Sequence, residues 1–338
     1  MKKSIIKATG IAIPERLVTN EDLTQWMDTS DEWIKQRTGI EQRYWIPEGS
    51  EIGASDLGLD ASTIALERAG WQPEDIDMII FATLSPDYQF PGPGCLLQHK
   101  LGLETTPALD IRQQCTGFLY GLATADSYIK SGLANKILFV GAEVHSTGLD
   151  ISTRGRDVAV IFGDGAGAIC IEGVEDESDK PGGVLGVALH AQGSQYKNLM
   201  LEAPSSKIQG RINKEMMKDA RHYPVMNGSV IFKQALRRLP QVTKEILEKT
   251  NLTIDDIDLI IPHQANLRIN QFYQEMLKIP SEKVFNNIQH YGNTTAASIP
   301  IAFDEAIEKK LIGKTGDIVF FTGFGAGLTW GGIIYQFD

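Results

Sequence analysis

Leu66-Glu-Arg-Ala-Gly-Trp-Gln-Pro-Glu-Asp-Ile-Asp-Met-Ile-Ile80 has a second copy, Leu247-Glu-Lys-Thr-Asn-Leu-Thr-Ile-Asp-Asp-Ile-Asp-Leu-Ile-Ile261. The two align without a gap at an offset of 181 residues. Each reads as a helix end, an acidic turn and a short apolar strand. The apolar run Ser4–Ile13 lies over Val184–Gly193 at nearly that offset, and Leu133–Gly141 resembles Lys314–Gly323. Fusion of two halves of one type accounts for all three matches.

Outward from the repeat, helix-like runs such as Ser55–Ala69, Cys115–Ser131 and Ser229–Thr250 alternate with short β-branched strands. That alternation is the α/β signal. The acidic, Gly-rich stretch Glu172–Gly183 marks the join, giving halves at 1–178 and 179–338. Gln192–Val225 carries Gly193, Pro204, Gly210 and Pro224 and reads as a long loop or lid with a little helix.

Bulk properties describe a soluble enzyme. Apolar residues make up 42% and charged residues 22% of the 338, an ordinary globular balance. No apolar run approaches the roughly 20 residues that span a bilayer. Lys7, Gly10 and Pro14 interrupt the opening segment, which reads as a first strand rather than a signal. Three cysteines do not make a disulfide scaffold and fit a reducing cytoplasm. A net charge of −11 argues against nucleic-acid binding.

Chemistry concentrates at three positions. Cys115, in Asp110-Ile-Arg-Gln-Gln-Cys-Thr-Gly117, follows a short strand and opens an apolar helix. The free N–H groups of a helix start favour thiolate, so a lowered thiol pKa is expected there. His263 ends the strand Leu259-Ile-Ile-Pro262, at the carboxyl edge of a sheet where ligands of α/β folds bind. Asn293 follows Gly292 in a turn that presents its amide. A cysteine with distant His and Asn is a candidate nucleophilic site, and a duplicated fold would join them between the halves. Each residue alone has a blander reading: a packed helix cysteine, a strand-end His bonded to backbone, a turn Asn. The runs Gly163–Ala168 and Gly323–Gly332 lack the helix context of a nucleotide fingerprint and read as close backbone packing. Cys95 and Cys170 read as structural. His99, His145, His190, His222 and His290 show no metal-ligand spacing, and no metal is expected.

Several motifs together resemble the 3-oxoacyl-[acyl-carrier-protein] synthase III family, the initiating condensing enzymes of the thiolase superfamily. They are Asp28-Thr-Ser-Asp-Glu-Trp-Ile34 with Arg37-Thr-Gly-Ile40, Cys115-Thr-Gly-Phe118 and Phe162-Gly-Asp-Gly-Ala-Gly-Ala168. Pro262-His-Gln-Ala-Asn-Leu-Arg-Ile269, Gly292-Asn-Thr-Thr-Ala-Ala-Ser-Ile-Pro300 and Gly323-Phe-Gly-Ala-Gly-Leu-Thr-Trp-Gly331 complete the set. The resemblance implies a five-layered αβαβα sandwich and a homodimer. It implies that Cys115 takes the acyl group of an acyl-CoA, while His263 and Asn293 bind malonyl-acyl carrier protein and stabilise the enolate left by CO₂. Gly325 and Gly327 would shape a second oxyanion site. Trp33, Arg37 and Arg156 would hold CoA, Phe90 would cross to a partner's acyl pocket, and Lys233, Arg237 and Arg268 would dock the carrier. No cofactor is implied beyond acyl-CoA as substrate. Gln113-Gln114 before the nucleophile, Ala326, and Glu275-Met276 in place of a docking Lys pair depart from the family pattern. Related condensing or acyl-transfer enzymes of secondary metabolism, and Cys–His hydrolases, remain rival classes.

Overall fold

In the computed structural model, which describes residues 2–175 and 182–338, the repeated stretch does one job twice. The carboxylate of Asp75 accepts from the Gln72 N–H at 2.8 Å, and that of Asp256 from the Thr253 N–H at 2.7 Å. Each closes a 3-10 turn. Two residues on, Asp77 accepts from Lys136 N–H at 2.8 Å and Asp258 from Ile318 N–H at 2.7 Å. The acidic turn thereby hooks the start of a neighbouring strand in both halves, where strand-end N–H groups need acceptors.

The chain runs β1 (Lys2–Ala12), β2 (Arg16–Thr19), α1 (Asn20–Leu23), α2 (Asp31–Thr38), β3 (Gln42–Trp45), α3 (Ala54–Ala69), β4 (Met78–Ala82), α4 (Pro93–Lys100), β5 (Ala108–Ile111), α5 (Gly117–Ser131), β6 (Lys136–Glu143), α6 (Arg156–Ala159) and β7 (Gly165–Glu175). It continues with β8 (Gly183–Ala191), β9 (Leu199–Met200), α7 (Lys214–Lys218), β10 (Val225–Met226), α8 (Gly228–Thr250), β11 (Leu259–Pro262), α9 (Leu267–Leu277), α10 (Ile288–Tyr291), α11 (Ser298–Glu308), β12 (Ile318–Gly325) and β13 (Thr329–Gln336). One sheet has the order β1-β7-β6-β4-β5 and the other β8-β13-β12-β11. Ile79 of β4 pairs in parallel with Ala108 of β5. Ile260 of β11 meets Val284 in a lone parallel bridge, so the fifth strand of the second sheet is reduced to one contact.

Three apolar cores define five layers. In the middle, Phe118 and Leu122 of α5 and Ile299 and Phe303 of α11 pack between Ile137 and Ile169 of one sheet and Val319 and Ile333 of the other. Outside, Ala61 of α3 and Leu97 of α4 cover Phe81 and Leu138, while Ala235 of α8 and Tyr273 of α9 cover Ile260 and Phe320. Both sheets are buried on both faces, which is why their strands read as continuous apolar runs. Each buried Leu, Ile, Val or Phe among them contributes about 1.5–3 kcal/mol.

A fourth cluster joins Val18, Ile34, Ile40 and Trp45 to Val158–Phe162 and Ile288. It rests on α2 and the β2–β3 pair, short elements the sequence reading did not anticipate. Ser30 Oγ caps α2 by accepting from the Trp33 N–H at 3.1 Å, and Gly39 ends it at φ 75°. Gln192–Val225 holds a 3-10 helix at Gly193–Asn198, the short α7 and the β9–β10 pair and is otherwise irregular, in keeping with a long loop carrying a little helix. The expected join between 178 and 179 lies outside the described residues. Among those residues no helix is long and apolar enough to cross a membrane.

Candidate active site

The middle-layer helices α5 and α11 bring their N-termini together: a methyl placed on Gly117 would sit 3.0 Å from the Ala296 side chain. Cys115 does not open α5 itself. It lies in the 3-10 turn Gln114–Thr116 just ahead of it, after Gln114 at φ 44°. Thr116 Oγ1 donates to the Gln113 carbonyl at 2.9 Å and lies 2.8 Å from Thr329 Oγ1, tying the turn to β13. Gly325, at the end of β12, gives the thiol its space. A Cβ there would stand 2.4 Å from Cys115 Cβ and 2.8 Å from Sγ.

The thiol departs from the sequence expectation. Burial pushes Cys115 up to about 12, the Glu143 carboxylate adds to the rise, and backbone N–H groups of Ala326 and Cys115 oppose it. Desolvation outweighs the helix start, so the resting group is a thiol.

His263 leaves β11 with its N–H on the Thr322 carbonyl at 2.7 Å. Its Nδ1 lies 2.6 Å from Ser298 Oγ in the first turn of α11, and its buried Nε2 has no partner. Burial lowers its pKa to about 3, so the ring stays neutral. Asn293 is held in a parallel bridge opposite Phe162, through Asn293 N–H to the Ile161 carbonyl at 2.9 Å and Gly163 N–H to the Asn293 carbonyl at 3.1 Å. Its Oδ1 accepts from the Thr295 N–H at 2.9 Å, which leaves the amide NH₂ as the free end. The glycines at 163 and 167 are packing positions: side chains there would strike the Tyr291 carbonyl at 2.2 Å and Pro300 at 2.5 Å.

Cys115, His263, Asn293 and Gly325 line one narrow cleft of about 100 Å³ that opens to solvent. Its other walls are mostly apolar, among them Phe162, Met226, Phe232, Ile269 and Phe324. Gly327, at φ 132°, lies in the turn between β12 and β13. At the surface, Gln36, Arg37 and Arg268 share a recess. Asn266 joins its two sides, donating to the Arg37 carbonyl at 3.0 Å while its Oδ1 caps α9 through the Arg268 N–H at 2.9 Å. Trp33 is flanked by two guanidinium groups, Arg37 at 4.1 Å and Arg156 at 4.5 Å from its ring centroid. Arg268 stands 5.8 Å from the Phe232 ring at the cleft wall, and Lys233 and Arg237 are exposed on α8. Phe90, 76% exposed, falls between β4 and α4 and does not line this cleft. Cys95 is exposed and Cys170 buried.

Sequence reasoning passed over Glu143, His145, Thr295 and Ser298. Glu143, fully buried at the end of β6, accepts from Thr83 Oγ1 at 3.0 Å, from Ser85 Oγ at 2.6 Å and from the N–H groups of Leu84, Ser85 and Ala296. Burial pushes it up to about 7 against those donors. The one available signal for Thr295 and Ser298 was their place within Gly292–Pro300. Among the described residues no group of three or more His, Cys, Asp or Glu is placed to hold a metal ion.

The family profile 3-Oxoacyl-[acyl-carrier-protein (ACP)] synthase III matches residues 109–193, and its C-terminal counterpart matches 247–337. The beta-ketoacyl-[acyl-carrier-protein] synthase III of Fusobacterium nucleatum is 43% identical over 331 residues, 98% of each chain. That of Clostridium perfringens is 44% identical over 340 residues, covering 99% of this chain and all of the relative. The crystal structure of 3-oxoacyl-[acyl-carrier-protein] synthase III from Aquifex aeolicus superposes with a TM-score of 0.87 at 40% identity, over the whole of both chains. This chain belongs to the 3-oxoacyl-[acyl-carrier-protein] synthase III family. It is an acyltransferase of the condensing type with the thiolase-like fold, and its reaction belongs to the initiation of fatty acid synthesis.

Proposed function

We propose that this chain joins an acyl-CoA primer to malonyl-acyl carrier protein with loss of CO₂, and that Cys115, His263 and Asn293 carry the chemistry. In the first stage Cys115 sulfur attacks the primer carbonyl. The new thioester forms, the CoA sulfur leaves, and the thiol proton departs with it as CoA-SH. In the second, the malonyl C–C bond breaks, CO₂ leaves, and the electron pair passes into an enolate. Its carbon attacks the acyl-Cys115 carbonyl and Cys115 sulfur is released to take up a proton. The product is 3-oxoacyl-acyl carrier protein.

One observation carries this reading: a buried cysteine shares a cleft with two unspent neutral polar groups. With Ser298 Oγ accepting from the Gln264 N–H at 3.4 Å and giving its own hydrogen to Nδ1, the His263 ring carries its proton on Nε2 as a donor. The hydrogen bond at Nδ1 leaves His263 Nε2 free, and the bond at Oδ1 leaves the Asn293 NH₂ free. Two neutral donors suit an oxygen that becomes anionic only during reaction. The N–H groups of Cys115 and Ala326, on the loop with Gly325 and Gly327, would serve the oxygen of the first stage. Trp33, Arg37 and Arg156 would receive the CoA nucleotide, with Arg planes suited to phosphate and purine. Lys233, Arg237 and Arg268 would meet an acidic carrier protein. Phe90 would contribute to a homodimer, and the enzyme would work in the cytoplasm with no cofactor beyond its CoA substrate.

The test separates the two stages. Acyl-CoA alone should leave one acyl mass on Cys115, absent in Cys115→Ala. His263→Ala and Asn293→Ala should lower malonyl decarboxylation by about 10²–10³ while largely sparing acylation. In the same assay Lys233→Glu with Arg268→Glu should raise KM for the malonyl carrier protein by a larger factor than it slows acylation by acyl-CoA. An acyl adduct on Cys95 or Cys170, or loss of acylation with decarboxylation intact, would overturn the assignment.

A further inference from the structure

We infer that Thr295 and His145 are positioning residues that aim the Asn293 amide, an assignment that rests on the role proposed above for that amide. Backbone pairing to Ile161 and Gly163 fixes where the Asn293 side chain begins. It does not fix which end of the amide faces the cleft, and only the NH₂ end donates to an oxyanion. The Thr295 N–H decides the matter by occupying Oδ1 at 2.9 Å.

To make that bond Thr295 adopts φ 48°. A β-branched residue is a clear outlier in the left-handed region, and such strain persists only where the surroundings over-determine it. His145 supplies the restraint. Its Nε2 lies 2.8 Å from Thr295 Oγ1, and its ring packs on Phe162 with centroids 4.7 Å apart. Phe162 is itself the bridge partner of Asn293. His145 is anchored in turn, its backbone N–H donating to Asp164 Oδ1 at 2.6 Å, and Asp164 also accepts from the Ile46 N–H at 2.8 Å. Burial lowers the His145 pKa to about 3, so the ring is neutral throughout the working range. The result is a closed loop of contacts running from Asn293 through Thr295, His145 and Phe162 back to Asn293. Gln114 shows what the same backbone turn looks like without this arrangement. At φ 44° its side chain reaches only the nearby Arg112 carbonyl, at 3.3 Å.

Half-reaction kinetics test the assignment. Thr295→Val keeps shape and removes the hydroxyl, Thr295→Ser keeps the hydroxyl, and His145→Phe keeps a ring without nitrogen. Thr295→Val and His145→Phe should each slow malonyl-carrier decarboxylation by about 10- to 100-fold, the cost of a misaimed group. Acylation of Cys115, read by intact mass, should stay within about twofold, and the double variant should be no worse than the weaker single, as groups acting as one unit behave. Thr295→Ser should recover most of the decarboxylation rate. Equal losses in both half-reactions, with a fall in thermal midpoint, would show a merely structural role and overturn the inference. So would unchanged decarboxylation in both variants while Asn293→Ala is impaired. If Asn293→Ala itself decarboxylates normally, the proposed role of Asn293 fails and this inference falls with it.

Discussion

Ahead of α5 a 3-10 turn carries Gln114 at φ 44° and then Cys115; ahead of α11 a 3-10 turn carries Thr295 at φ 48° and then Ala296. The strands that close on these turns also correspond. β12 ends against Cys115 with Gly325, and β6 ends against Ala296 with Glu143, whose carboxylate takes the Ala296 N–H at 3.4 Å. One helix start is left open by a residue with no side chain. The other is faced by a carboxyl group that takes its Ala296 N–H, while Asn293 Oδ1 takes the Thr295 N–H. The two helix starts match in turn and in facing strand and differ by Gly against Glu at the strand terminus; on the roles proposed above, that difference separates a reactive end from a supporting one.

The largest effect is expected at Gly325. Gly325→Ala puts a Cβ 2.4 Å from Cys115 Cβ, and the displaced thiol should cost at least about 10²–10³ in acylation rate. Normal acyl labelling of that variant by intact mass would mean that the open strand end is not what admits the thiol. A transplant sharpens the contrast. Cys115→Ala combined with Ala296→Cys moves the sulfur to the end that Glu143 faces, and no acyl adduct should form at position 296 under conditions that label the parent fully. An adduct there would show that Glu143 does not silence its side.

The smallest effect is on stability. Burial raises the folded pKa of Glu143 to about 7 from an ordinary 4.5. A raised pKa means that the folded state holds the proton more tightly. The stability gained is therefore complete below about 4.5 and is lost as pH rises through about 7, by roughly 3 kcal/mol. Glu143→Gln cannot ionise. Urea unfolding of parent and variant at pH 5 and pH 8 should show the parent losing ground to the variant by about that amount, and a constant gap would count against a proton held there.

The repeat made the fold legible because each copy keeps a helix end, a turn and a strand in one unbroken stretch of sequence. Asp75 and Asp256 each close a turn three residues back, and Asp77 and Asp258 follow two residues on, each reaching a distant strand start, so the same letters recur in both copies. Cys115, His263 and Asn293 were legible for a related reason: each adjoins an element boundary marked by Gly or Pro. His145 and Thr295 were not, since their contact spans 150 residues and neither position is unusual in its own neighbourhood. The state of Cys115 was half visible. A helix start shows in sequence, whereas the burial that overrides it is a property of the assembled layers. The short α2 and β2–β3 elements escaped because Asp31–Thr38 is mostly polar and takes its shape from Ser30, Gly39 and the cluster beneath.

Asn266 leaves a mark on the timing of events. By pinning Arg37 to the start of α9 it confines the anchor proposed for CoA and the anchor proposed for the carrier, Arg268, to the rim of one recess. Two bulky visitors cannot stand in one doorway. On the proposed roles, spent CoA must clear the threshold before the carrier arrives, and the alternation of the two substrates is enforced by geometry rather than by any signal passed between them.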